Sequence, residues 1–346
     1  MTDRPMKRAA DSRLAFAEIV GEESLQGQRM QAGAILDLID VLAGRIAARH
    51  AGGAVVTLCF DRVDLVYPIL HQDLVRMEGR LVAVGNSSLT VFIQGYRRDL
   101  LSREFVPIQH CFVTMVAVDK TLRPNADIPG LLLESAEEKR LNADARDHKE
   151  RSTEWEGRLE SSGHGGPLEV AEVEDSFARE KKEWLAPGET EIALRRIFLP
   201  RHNNILGTIF GGDILLWMDR VATYTARHFT RNPHMVTIAM NRIFFRQPIF
   251  NTDVVELTAR VVHVRNYTLE VEIDVRAQRF SGEEVQSHCG YFTVLNYDEA
   301  GFKRPIVTGL KLSGDDQPGL RRYLQSRKRF DYWKGGDSAK SRRPGR

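Results

Sequence analysis

Cysteine is scarce in this sequence: Cys59, Cys111 and Cys289 are far apart and none sits in a CxxC pair. An odd count at such spacings supports neither a disulfide framework nor a zinc site, and fits a reducing compartment. Long apolar runs are missing as well, so no stretch is long enough to cross a bilayer as a helix. The N-terminus lacks an apolar signal core, and Asp3, Asp11, Glu18, Glu22 and Glu23 count against an acid-poor transit peptide. A cytoplasmic location is therefore expected. Charge of one sign is nearly absent too: 49 basic against 47 acidic residues leave +2, which excludes a global electrostatic drive toward nucleic acid. What is present is bulk, since 346 residues with 42% hydrophobic content can bury about two cores.

An internal repeat identifies those two cores. With an offset of 180, the stretch from Ala54 to Ile93 matches the stretch from His234 to Ile273. Val56, Thr57, Arg62, Pro68, Ile69 and Asp73 recur as Val236, Thr237, Arg242, Pro248, Ile249 and Asp253, and the matches continue through Arg80, Asn86 and Ile93. Upstream the offset falls to 179, which lays Gln31–Ala47 on Phe210–Ala226 and Asp40 on Asp219. Each copy reads as a helix followed by strands. Leu269, Val271, Ile273, Val275 and Ala277 alternate with polar residues, the period of a sheet with one packed face, and Val254–Val264 and Cys289–Tyr297 are further strand candidates. The preceding helix can cover the packed face, which makes the chain an α+β protein.

The second helix carries the chemistry. Arg201–Asp219 reads RHNNILGTIFGGDILLWMD: a polar loop, a glycine pair and an apolar helix interrupted by one acid. A buried carboxylate costs several kcal/mol unless it has partners or a job. A helix N-terminus offers unpaired amides with partial positive charge, and glycine there lets a substrate approach the backbone. The bland readings are a plain turn for Gly211 and Gly212 and a structural acid for Asp219. His202 and His228 have no Asp or Ser at a triad spacing and read as solvated histidines.

The pattern Asn204, Gly211, Gly212, Asp219 resembles the loop and central helix of hotdog-fold acyl-CoA thioesterases, and the repeat resembles their tandem, double-hotdog type. The resemblance covers residues 25–130 and 190–310 and implies an antiparallel sheet wrapped around a central helix in each copy. It also implies that the copies pair, so that Asn204 and the Gly211 amide from one meet Asp40 from the other, with Thr57 placing the acid or a water. Gly212 and Phe210 would then line the substrate. The opposite site takes Asp219, Gly33 and Thr237, but Asn204 falls on Leu25 and Gly211 on Ala32, and the first loop has no asparagine. Gln26 or Gln28 would substitute only on a different loop path. Asp37 falls on Leu216 and reads as a surface or pairing charge.

What the resemblance implies is hydrolysis of acyl-CoA to free acid and CoA without metal or other cofactor, and association of double units, commonly as trimers. Two other classes stay open: a non-catalytic acyl-CoA sensor, and an acyl-thioester hydratase or dehydratase, which needs an Asp/His pair. The expected boundaries are an N-terminal segment 1–24, hotdog units 25–133 and 189–310, a charged linker 134–188 and a basic tail 311–346. Within the linker, Glu134–Glu160 reads as a solvent-facing helix, Ser161–Pro167 as a flexible break and Val173–Leu185 as a second helical piece; the tail reads as a short docked helix with a disordered end.

Overall fold

The computed structural model describes residues 4–163 and 166–340. Each half lays one long helix across one six-stranded antiparallel sheet. The first half contributes β1 (Leu14–Ile19), α1 (Ala32–Ala51), β2 (Val55–Phe60), β3 (Val63–Asp64), β4 (Leu74–Val84), β5 (Ser88–Arg98) and β6 (Val106–Ala117), followed by α2 (Ala136–Gly163). The second contributes β7 (Ile192–Ile197), α3 (Gly211–Thr230), β8 (Met235–Met240), β9 (Ile243–Phe244), β10 (Val254–Val264), β11 (Thr268–Gln278) and β12 (Glu284–Asn296), and ends in α4 (Gln317–Lys340). Strand orders are β1-β4-β5-β6-β2-β9 and β7-β10-β11-β12-β8-β3. This is the tandem double hotdog.

The period-two pattern does the sorting. Val75, Met77, Leu89, Val91 and Ile93 turn inward and are buried against Ile35, Leu36, Ile39, Leu42 and Ile46 of α1. Both faces of α1 are needed, because it also packs along α3. The contact is close enough to exclude a side chain at Gly33, whose Cβ would lie 2.7 Å from the Leu216 Cα. Gly52, at φ 72°, ends α1 in the left-handed cap that a residue without Cβ adopts most readily.

The halves also exchange strands. β3 leaves the first sheet and pairs with β8, while β9 leaves the second and pairs with β2. Phe245 N donates to Leu58 O at 2.9 Å and Leu65 N to Ile238 O at 2.8 Å, using the carbonyls that β-bulges in β2 and β8 set free. A register shift follows Thr57 and another follows Thr237, at matching points of the two copies. The two bulges therefore stitch the halves together and aim the threonines inward together.

Outside this frame the structure departs from the sequence reading in four places. Leu14–Ile19 is an edge strand of the first sheet, paired with β4, although it precedes residue 25. The linker helix α2 is not free in solvent: Ala145 and Ser152 are buried, and His148 stacks on Phe112 of β6 with ring centroids 5.0 Å apart. The sheet's outer face carries Val82, Phe92 and Phe112, and this apolar patch overrides the helix's charged composition. Val173–Leu185 is not one helix but a turn at Val170–Val173, a 3-10 turn at Ser176–Glu180 and a strand Glu183–Leu185 paired with Thr308–Leu310. Asp175 breaks it by accepting from Phe177 N and bonding His263 at 2.7 Å. The tail helix α4 is long, and its Leu320, Tyr323, Ser326 and Arg329 are buried on the second sheet. The centre of the expected break at 161–167 and the end of the tail, 341–346, lie outside the described residues.

A buried ion network fastens α4. Glu270 accepts from Arg329 Nη2 at 2.8 Å, from Asn241 Nδ2 at 2.9 Å and from the Ser326 hydroxyl, and Asn241 takes Arg62 Nη1 of the first half at 2.8 Å. These contacts hold the Glu270 carboxyl below the usual range despite complete burial, which alone would raise it. Breaking one partner leaves an uncompensated charge. Arg329→Met is therefore expected to cost about 3 kcal/mol or more of stability, read as a lower midpoint in a denaturant titration; an unchanged midpoint would contradict the network's role.

Candidate active site

The two central helices cross so that each brings an acid to the N-terminus of the other. Asp40, two turns into α1, accepts the Gly212 N–H of α3 on Oδ2 at 2.9 Å and the Thr57 hydroxyl on Oδ1 at 2.7 Å. Asp219 of α3 accepts the Gly33 N–H of α1 on Oδ2 at 2.8 Å. Both acids are buried. Amides at a helix start have no intrahelical acceptor, so a carboxylate there meets both a donor and a favourable dipole.

The two sites then diverge. Burial pushes the Asp40 carboxyl up to about 7; the Thr57 hydroxyl and Gly212 amide oppose the shift, and Asp37 and Asp213 add to it by like-charge repulsion. Burial, Asp213 and Glu18 push Asp37 up to about 6. Asp37 is thus not a free surface charge: it is half-buried, and a Cβ on Gly212 would strike its Oδ1. Burial also raises Asp219, with the Thr237 hydroxyl and Gly33 amide pulling the other way. Thr237 Oγ1 and Asp219 Oδ1 nevertheless fall outside normal hydrogen-bond geometry, unlike Thr57 and Asp40.

Gly211 opens α3 with Asp40 beside it: an added Cβ would lie 2.9 Å from Asp40 Oδ2 and 3.3 Å from Cε1 of Phe245. Its amide is the first of the helix, and the intrahelical ladder gives it no acceptor. Gly212, expected against substrate, commits its amide to Asp40 instead, and the Phe210 ring lies over it. Asn204 is drawn into its own loop. Its Oδ1 accepts from Leu206 N at 2.9 Å and Thr208 N at 3.3 Å, and Nδ2 donates to Thr208 Oγ1 at 2.8 Å. The turn at Gly207, φ 78°, presents amides that need those acceptors, which leaves one Nδ2 hydrogen for another partner.

The second site is closed by the first half's own loop. Gln26, with its amide oxygen toward α3, accepts from Arg227 Nη1 at 2.9 Å and Thr223 Oγ1 at 3.2 Å. Gln31 Oε1 accepts from Arg220 Nε at 2.9 Å. Ala32 stands where the first site has Gly211, and a glutamine plugs the helix face that carries Asp219.

Sequence reasoning missed the pair His202–Asp213, with Nδ1 3.1 Å from Oδ1 and His202 largely buried, edge-on to Phe198 at 5.5 Å. The pair ties the Asn204 loop to the first turn of α3, and a separation of 11 residues with a turn between carries no periodic signal. Among the described residues no group of three or more His, Cys, Asp or Glu is placed to hold a metal, and no helix is long and apolar enough to cross a membrane.

Comparison with known proteins gives a thioesterase superfamily model that matches twice, at residues 30–102 and 206–279. Acyl-coenzyme A thioesterase 11 of Mus musculus is 25% identical over 279 residues, 80% of this chain and 46% of that protein. A Bacillus subtilis protein described as an acyl-CoA thioester hydrolase is 34% identical over 106 residues, 31% of this chain and 61% of its own length. The chain thus spans about half to two thirds of the length of these relatives. An acyl-CoA hydrolase from Staphylococcus aureus, solved with coenzyme A, aligns at 27% identity over 47% of this chain and 100% of that one, with a TM-score of 0.42.

The glycine geometry makes a test. Gly211→Ala puts a methyl against Asp40 and between the amide and any bound ligand, so turnover is expected to fall at least about tenfold with the melting temperature little changed. Gly33→Ala meets helix backbone instead and is expected to lower stability first. Equal effects of the two substitutions on turnover and on melting would contradict this division.

Proposed function

Because both halves match a thioesterase superfamily model, we propose that the chain hydrolyses acyl-CoA to a free acid and CoA at the site shared by Asp40, Thr57 and the start of α3. The observation that carries this reading is Asp40: a fully buried carboxylate, oriented by two hydrogen bonds, facing a helix N-terminus that belongs to the other half.

The chemistry follows from these groups. The thioester carbonyl takes the Gly211 amide, which polarises it and then holds the oxyanion of the tetrahedral intermediate. Asp40 removes a proton from water as the new C–O bond forms. Collapse of the intermediate breaks the C–S bond, and the proton passes from Asp40 to the departing thiolate. A base whose pKa lies near the working pH combines adequate basicity with a useful ionised fraction, and burial lifts Asp40 to about 7. Thr57 keeps the carboxylate from turning away, and the remaining Asn204 Nδ2 hydrogen is available to the carbonyl or the water.

Hydration of an unsaturated acyl thioester would use an Asp/His pair, and His202–Asp213 stands near the same helix start. His202 Nε2, however, accepts from Arg201 Nε at 3.3 Å while Nδ1 donates to Asp213 Oδ1, so the ring has no nitrogen free for substrate.

The test is thiol release from acyl-CoAs of graded chain length, followed across pH. Asp40 must be ionised to act, so kcat/KM should fall as pH drops through about 7 and level off above it. A pH-independent rate between 5 and 9, taken as roughly two units either side of that value, would rule out Asp40 as the group that moves the proton. No thiol release at any chain length would favour a non-catalytic binder.

A further inference from the structure

Among the described residues one buried histidine has a ring nitrogen without a hydrogen-bond partner. His50 Nε2 bonds Pro129 O at 3.0 Å and His263 Nε2 bonds Asp175 at 2.7 Å, whereas His288 Nδ1 is buried without a hydrogen bond. No charged group offsets its burial, which alone lowers its pKa to about 3 and keeps the ring neutral at every working pH. An unmade hydrogen bond in a core is a cost that a structural role does not explain.

Its position is informative. His288 lies on the inward face of β12, and its ring meets Phe245 edge to face with centroids 4.5 Å apart. Phe245 is only half-buried and is the apolar wall beside Gly211, 3.3 Å from where a Cβ there would sit. Asp40 Oδ2 lies 2.9 Å from the same Cβ position. A thioester carbonyl on the Gly211 amide therefore meets Asp40 and Phe245 together, and His288 packs against Phe245.

The matching position in the first half is also polar. Val275 pairs with His288 as Gly95 pairs with Gln109, and Gln109 is likewise buried with its Oε1 unpartnered. Both copies thus place a hydrogen-bonding group at the same point of an otherwise apolar sheet face.

We propose that His288 is a specificity-determining residue that selects acyl groups carrying a hydroxyl or oxo oxygen along the chain over plain alkyl acyl groups of equal length. This rests on the reading of the Asp40–Gly211 site as a thioester hydrolase. Phe245 packs the methylene portion of the chain, and the neutral imidazole supplies the one polar contact. A site built to hydrogen-bond a substrate oxygen discriminates against the analogue that lacks it, because its own polar atom is then left unpaired.

The test compares hexanoyl-CoA with its 3-, 4- and 5-hydroxy derivatives by thiol release. Wild-type protein is expected to favour at least one hydroxy isomer by about tenfold in kcat/KM. His288→Leu should bring that ratio to about one, chiefly through a lower kcat/KM for the hydroxyacyl substrate, and His288→Gln should keep part of it. A purely structural histidine would instead lower melting without moving the ratio; here the melting temperature of His288→Leu should match or exceed wild type. Equal or better turnover of hexanoyl-CoA by wild type, or an unchanged ratio in His288→Leu, overturns the inference and leaves the hydrolase reading standing. If His288→Leu does not fold, the wild-type ratio decides: above about threefold supports the assignment, and anything lower overturns it. Failure of wild type to release thiol from any of these or from other acyl-CoAs defeats the hydrolase reading and this inference with it.

Discussion

Everything in the interior is arranged around two reciprocal hydrogen bonds, Asp40 to the Gly212 amide and Asp219 to the Gly33 amide. Each joins an acid two turns into one helix to the first turn of the other, so the helices must cross at one depth and in one register. Glycine at both N-termini is the condition for that approach, because a side chain at Gly33 would enter the backbone of α3. The sheets wrap outward from this pair, and the strand exchange of β3 and β9 closes the same interface from its edges. Neither half can form its acid site alone, since each acid depends on the other half for its amide donor.

A symmetric frame does not make symmetric sites. Asp40 has Thr57 on one oxygen and an amide on the other, and its burial keeps its proton affinity high, with the charges of Asp37 and Asp213 adding to the effect. Asp219 has one amide, an orphaned oxygen, and Gln26 with Arg227 filling the adjacent helix face. Loops make this difference rather than the frame. At the first site the loop ends in Gly211 and leaves a helix amide open; at the second it ends in Ala32 and places a glutamine across the helix. The two copies share one scaffold, and on the proposed reading the divergence of one loop leaves the chemistry to the other copy.

The repeat made much of this legible. Offsets of 179 and 180 carry Asp40 onto Asp219 and Thr57 onto Thr237, and the period-two pattern of Leu269–Ala277 marks the packed face of β11. What escaped has physical causes. β3 and β9 are two residues each, too short for any period, and owe their pairing to carbonyls freed by bulges. α2 has the composition of a solvated helix, and the apolar Phe92–Phe112 face of a distant sheet, with Asn142 donating to Val82 O, holds it down. Asp175 broke a helical segment through His263, a residue 88 positions away. The use of Asn204 within its own turn was hidden for the same reason, because the amides of Leu206 and Thr208 point at it only once Gly207 adopts a positive φ.

The central claim is that one acid acts and its symmetry mate does not. The direct measurement is turnover of an accepted acyl-CoA by Asp40→Asn and Asp219→Asn proteins, each confirmed folded by thermal melting. The account predicts at least about a hundredfold loss for Asp40→Asn, as removal of the base requires, and a loss below about threefold for Asp219→Asn, which leaves the Gly211 site intact. The reverse order would place catalysis at the Gln26-plugged site, and equal partial losses would mean that both acids work; either result would contradict the account.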